Sequence, residues 1–144
     1  IARLATDCKN IIGVKEASGN LEQMERVRSL APADFLLISG DDGLTVEVIK
    51  RGGVGVISVL ANIYPAETVQ IVNLALEGDF EGATCLIERA EPFIASLFEE
   101  GNPVGIKCAL AVKGVCRDTM RLPLVAGSEA LRSKMERLIE EYEK

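Results

Sequence analysis

The sequence predicts an α/β fold in which parallel strands alternate with helices and then give way to helices alone. Three observations predict it. Short apolar, β-branched runs occur at residues 10–17 (NIIGVKEA), 34–40 (DFLLISG) and 53–59 (GVGVISV), and each is followed by a helical pattern. The runs are continuously apolar rather than alternating, as expected of strands covered on both faces by helical crossovers. Their starts lie roughly 20 to 30 residues apart, the spacing of compact α/β barrels, and beyond Asp79 the pattern is only helical. Residues 1–78 therefore read as the strand-bearing part and residues 79–144 as a helical region.

Each element has a local reason. IARLATD reads as the tail of a helix whose beginning is missing, so the expectation is a chain that starts in the middle of a fold. After the first strand, Asn20 is placed to cap a helix with Leu21, Met24, Val27 and Leu30 on one face, and Pro32 marks its end. After the second, Asp42 is the expected cap and Gly52 or Gly53 the expected stop. After the third, Pro65 suits a first helical position, and the helix runs to Gly78. In the helical region, FEGATCLIERAEPFIASLFEEG is expected to be interrupted at Pro92. Asn102 is expected to cap a helix with Pro103 in its first position, and a last helix starts near Ser128 with Leu131, Met135, Leu138 and Tyr142 on one face.

Composition narrows the chemistry. The chain has 144 residues, 48% of them hydrophobic, which is enough for the core of about one domain. Its formal net charge is −6 and its basic residues are scattered, which points away from nucleic acid and anionic membrane and toward a small ligand. Cys8, Cys85, Cys108 and Cys116 lie far apart without a C-x-x-C pair, and there is no histidine to complete a zinc set. They read as buried thiols, and no metal is expected. Neither a signal peptide nor a membrane-length apolar run is visible, so the expected setting is the cytoplasm. Without histidine, the commonest general base is missing, and chemistry falls to lysine, carboxylates, tyrosine or backbone.

Function in parallel α/β folds gathers at the carboxyl ends of the strands. That rule selects Lys15–Asn20, Ser39–Gly43 and Val59–Asn62. Lys15 ends an apolar run, and in a central strand its ammonium would be partly desolvated. Desolvation disfavours the charged amine, freeing a nucleophile that attacks ketones to form an imine. The competing reading is an ion pair with Glu16 or with Asp41. The SGDDG turn offers Asp41 and Asp42 to a divalent cation, but without a third placed carboxylate helix capping is favoured, with Gly40 allowing close backbone approach. RGGVGVISV is not a phosphate loop, because its glycines precede the strand. Lys107 reads as a solvated helix residue. Tyr64 is open to two roles, proton donor in the mouth or buttress.

Five motifs go further. GVKEASGN, LISGDD, GVISVLAN, GNPVGIKCAL and RLPL, in this order and spacing, strongly resemble the C-terminal portion of the dihydrodipicolinate synthase family, over nearly the whole chain. The wider group includes N-acetylneuraminate lyase and 2-keto-3-deoxy sugar-acid aldolases. The resemblance implies a (β/α)8 TIM barrel in which this chain supplies about strands six to eight and the C-terminal helices. It implies that Lys15 forms a Schiff base with pyruvate, that Gly40 and Ile57 line the pyruvate pocket, and that no cofactor is needed. The implied reaction condenses pyruvate with aspartate 4-semialdehyde in lysine (diaminopimelate) biosynthesis. The family's proton-relay tyrosine, its threonines and an arginine precede the lysine and are not in this sequence. Gly105 stands where many members have the second proline of N-P-x-P.

The resulting expectation is a lysine-dependent, metal-independent carbon–carbon bond enzyme, homo-oligomeric, whose complete site needs the N-terminal barrel half. The chain alone is expected to be weak or inactive. Alternatives are a pyruvate-dependent aldolase for a 2-keto-3-deoxy acid or sialic acid, and a non-catalytic half-barrel that associates with another chain.

Overall fold

A computed structural model describes all residues 1–144. The chain opens with helix α1 (Ala2–Asp7), then strand β1 (Gly13–Glu16), helix α2 (Leu21–Leu30), strand β2 (Leu36–Ser39) and helix α3 (Thr45–Lys50). A short 3-10 helix (Leu60–Asn62) leads into α4 (Pro65–Glu77), α5 (Phe80–Phe98), α6 (Val104–Val112) and α7 (Glu129–Tyr142).

β1 and β2 are parallel, in register from Gly13 opposite Leu36 to Glu16 opposite Ser39. The third apolar run joins the other side of β2, but only as a bridge, Ser39 opposite Val56. Its backbone is nonetheless paired: Val54 N donates to Leu37 O at 2.9 Å, Ser39 N to Gly55 O at 2.8 Å, and Ile57 N to Ser39 O at 2.8 Å. The run is thus shorter as a strand than expected, because it has one neighbour and carries Gly55 at φ 152°, where a glycine breaks the regular pleat.

Helix ends follow local chemistry at most positions. Asn20 caps α2 by accepting from Gln23 N at 3.0 Å, and Ser128 caps α7 by accepting from Leu131 N at 3.1 Å. Pro65 is the first residue of α4, and Gly78 closes it with φ +88°. Gly52, at φ +85°, follows the end of α3.

Three boundaries differ from expectation. Asp42 does not cap α3: Leu44 occupies the cap position, and the Asp42 carboxylate reaches the third strand instead. Pro92 does not interrupt α5, which is continuous from Phe80 to Phe98. A mid-helix proline costs about 3 kcal/mol, and burial of Ile87, Ala90, Phe93, Ile94 and Leu97 along the same helix offsets it. Pro103 rather than Asn102 is the residue before α6, a shift of one position.

The larger core cluster is formed by α3 to α7, with Phe93, Leu97, Ile71, Leu131 and Met135 almost wholly buried. A smaller one, Met24, Val27, Phe35, Leu37 and Val48, holds α2 and α3 against one face of the sheet. The cysteines correct another expectation: Cys108 alone is buried, Cys8 is half-buried, and Cys85 and Cys116 are exposed. Cys85 lies off the stripe that α5 buries, and Cys116 lies outside any helix or strand. No helix is long and apolar enough to cross a membrane.

Candidate functional site

Side chains alternate across a strand, and the register sorts them onto two faces. Val14, Glu16, Leu37 and Ser39 face the helices, and Glu16, Leu37 and Ser39 are buried. Lys15, Leu36, Ile38, Gly40 and Ile57 share the opposite face. No helix covers that face, and Lys15, Leu36 and Ile57 are exposed on it, Ile57 to 51%. The expectation of a partly desolvated Lys15 therefore does not hold in this chain: β1 pairs on one side only and is an edge strand.

Lys15, Gly40 and Ile57 do come together on one face. Gly40 N donates to Glu16 O at 2.7 Å, drawing the loop after β2 across the end of β1. A Cβ built on Gly40 would sit 2.5 Å from Ala17 Cβ and 2.9 Å from Lys15 Cε. Only glycine lets this backbone lie against the lysine stem, as the sequence predicted. Ile57 enters beside it through its bond to Ser39 O.

The competing ion pair for Lys15 is not formed, because no salt bridge includes it. Glu16 points the other way and is 5% exposed. Its carboxylate accepts from Ser18 N at 2.7 Å, Ser18 Oγ at 3.1 Å and Gln23 Nε2 at 2.7 Å. Burial pushes this carboxyl upward, but the hydrogen bonds from Gln23 and Ser18 outweigh it and hold Glu16 below its ordinary range. The turn that follows Lys15 is thereby tied to the first turn of α2.

Asp42 does a similar job between the second and third strand ends. It is 2% exposed, and its Oδ2 accepts from Val59 N at 2.9 Å and Leu60 N at 3.2 Å. Asp41 is spent locally: its Oδ1 accepts from Gly43 N at 3.0 Å, and its backbone is tied to Ser39 Oγ. No group of three or more acidic or thiol side chains is assembled to hold a metal ion. Sequence reasoning missed the structural load on Glu16. The signal available was an acid two residues before Ser18 and seven before Gln23.

Tyr64 is a buttress. It is 4% exposed, stacks edge-on to Phe93 with centroids 5.3 Å apart, and donates its hydroxyl to Glu143 Oε1 at 3.2 Å. Burial, then the Glu143 charge, pushes its phenol well above the ordinary tyrosine range, which keeps it a hydrogen-bond donor. Lys107 is half-buried on α6 rather than solvated. Gly105 has a packing reason: a Cβ there would sit 2.1 Å from Leu97 O.

A lysine on the open face of a parallel sheet, with a glycine-walled loop against its stem, stands at the carboxyl ends of strands that alternate with helices, the arrangement of an α/β barrel. The comparisons identify the family. Residues 1–142 match the model of the dihydrodipicolinate synthetase family, and the chain belongs to it. It is 43% identical over 142 residues to the 4-hydroxy-tetrahydrodipicolinate synthase of Endomicrobium trichonymphae, covering 99% of this chain and 48% of that protein. It is 45% identical over 139 residues to the enzyme of that name from Phocaeicola vulgatus, covering 96% and 47%. Its structure superposes on dihydrodipicolinate synthase from Thermotoga maritima with a TM-score of 0.96 at 35% identity, covering 99% of this chain and 49% of that one. The chain thus spans about half the length of the curated relatives it matches. Its fold is the C-terminal part of a (β/α)8 TIM barrel followed by C-terminal helices.

Proposed function

We propose that this chain carries the Schiff-base lysine of a pyruvate-dependent carbon–carbon bond-forming enzyme, a 4-hydroxy-tetrahydrodipicolinate synthase of lysine (diaminopimelate) biosynthesis. The observation that supports it best is the shared face of Lys15, Gly40 and Ile57 at the strand ends. Residues 1–78 carry this site, and residues 79–144 supply the helices that brace it. The Lys15 amine attacks the ketone carbon of pyruvate, and the carbinolamine takes up one proton and loses water to give a protonated imine. That cation is the electron sink for loss of a methyl proton, and the enamine adds through its terminal carbon to the aldehyde of aspartate 4-semialdehyde. Gly40 and Ile57 wall the pyruvate pocket by backbone and apolar contact. Proton transfers fall to groups outside this sequence, which holds no histidine.

The open face needs the N-terminal strands of the barrel to close over it, and we place the closed protein in the cytoplasm as a homo-oligomer. Reduction with borohydride in the presence of pyruvate, followed by peptide mapping, tests the central step. A reduced pyruvyl adduct on Lys15, weak in the 144-residue chain and strong when the N-terminal barrel half is added, is the expected result. Absence of the adduct from Lys15 in both states overturns the reading. Condensation with aspartate 4-semialdehyde, compared with cleavage of 2-keto-3-deoxy acids or sialic acid, separates the synthase from the related aldolases.

A further inference from the structure

We propose that Asp42 is a positioning residue of the pyruvate pocket, fixing the distance between its Gly40 wall and its Ile57 wall; the proposal rests on the reading of Lys15, Gly40 and Ile57 given above. Asp42 leaves the loop that presses Gly40 against Lys15 and crosses to a different strand. There its Oδ2 accepts both Val59 N and Leu60 N, at 2.9 and 3.2 Å. These two amides begin the turn that follows Ile57, and Ile57 is itself held by donating to Ser39 O at 2.8 Å. Two neighbouring strand ends are thus joined by one buried carboxylate, 2% exposed, whose partners are 17 and 18 residues away. A buried polar group is retained where its hydrogen bonds are satisfied, and here they are satisfied between two strand ends rather than within a helix. The adjacent Asp41 does not substitute, since its carboxylate turns back to Gly43 N.

Removing the carboxylate leaves two amides without an acceptor and frees the Ile57 wall from the Gly40 loop. Misplacement of a pocket wall by about 1 Å costs up to about 10²-fold in reactivity. The effect falls on the capture of pyruvate more than on the maximal rate at which the bound ketone reacts, because Lys15 lies on another strand.

The test compares the wild-type chain with Asp42→Ala and Asp42→Asn, each with the N-terminal barrel half added. Lys15 trapping is measured as a function of pyruvate concentration, and amide hydrogen exchange is measured in the absence of pyruvate. Asp42→Ala is expected to raise the half-saturating pyruvate at least about tenfold with a smaller change in maximal rate. Exchange should accelerate at Val59, Leu60 and Ile57 but not in α5 and α7. Asp42→Asn, which keeps one acceptor oxygen, should shift both by an intermediate amount. Unchanged half-saturation in Asp42→Ala overturns the proposal, and so does unchanged exchange at Ile57. If no variant, wild type included, traps pyruvate on Lys15, the Schiff-base reading fails, and the exchange data still decide whether Asp42 holds the Ile57 wall. Should Asp42→Ala not fold, Asp42→Asn carries the comparison through the same two readouts: intermediate shifts in both are expected, and wild-type half-saturation or wild-type exchange at Ile57 overturns the proposal.

Discussion

Gly105→Ala is a substitution whose sign is contested by two physical effects. Position 105 lies inside α6, where replacing glycine by alanine ordinarily stabilises a helix by about 1 kcal/mol. Packing opposes this. The added Cβ would sit 2.1 Å from Leu97 O, 2.6 Å from Leu97 C and 2.7 Å from Leu97 Cα, far inside the 3.4 Å at which ordinary contact begins. These are backbone atoms in the last turn of α5, and no side-chain rotation relieves the overlap. The helices must part by about 1 Å where Leu97 and Ala109 are fully buried. Overpacking of this kind costs about 1–3 kcal/mol, and an unyielding backbone argues for the upper end. The balance is a net loss of about 2 kcal/mol after the helix-propensity gain. Urea unfolding followed by far-UV circular dichroism should show the midpoint falling by about 1 M, given an m-value of about 1–3 kcal/mol/M. A midpoint equal to or above wild type would falsify the close approach of α5 and α6 at this residue.

Three further outcomes are expected. Gly40→Ala should slow pyruvate trapping on Lys15 by about 10- to 100-fold, because its Cβ would meet Ala17 Cβ at 2.5 Å; Ala17→Gly in the same chain should recover part of the rate, and trapping at the wild-type rate in Gly40→Ala refutes the contact. The Glu16 carboxyl is held below its ordinary value in the fold, so the stability it contributes is full above the unfolded value of about 4.3 and is lost as pH falls through the folded one. Urea midpoints of wild type and Glu16→Gln should therefore converge as pH drops below about 4.3; a difference independent of pH would contradict the hydrogen bonds from Gln23 and Ser18. Thiol titration of the native chain should modify Cys85 and Cys116 first and Cys8 more slowly, with Cys108 reacting only on unfolding; early loss of Cys108 would rule out the packing of α6.

Where the controlling contacts are local, the sequence was enough to read the structure. Asn20 and Ser128 reach amides three residues ahead, and Gly78 supplies its own positive φ, so these helix ends were visible in one turn of sequence. Gly40 was also legible, because a glycine directly after an apolar run and before two acids signals close backbone approach. What escaped was set by distant partners. Asp42 looked like a helix cap because its partners, Val59 and Leu60, belong to the next strand end. Pro92 looked like a break because the local rule ignores the apolar stripe that α5 buries against its neighbours. Cys85 looked buried because composition says nothing about which side of a helix a residue occupies. The surroundings of Lys15 were beyond sequence for the same reason, since they depend on whether a strand pairs with the far side of β1, and in this chain none does.

That last dependence explains why the lysine face has the composition it does. A lone cation on a solvated sheet face would sit among polar neighbours, and glycine would have no reason to flank it. Here the shared face carries Leu36, Ile38 and Ile57 with one lysine, and a glycine pressed against the lysine stem. Leu36 and Ile57 are exposed in this chain, as are Val54 and Ile12 nearby, and leaving such surface in water costs about 25 cal/mol for each Å². Further strands covering the face, as the proposed function requires, would remove that cost and take the amine out of water in one step. The helices that pack the reverse face need no such completion: Glu16, Ser39 and Asp42 are already buried and hydrogen-bonded. The two sides of one small sheet therefore differ: one is packed by helices and the other is open. The buried side holds the strand ends in place, and the proposed function assigns the chemistry to the open side once further strands cover it.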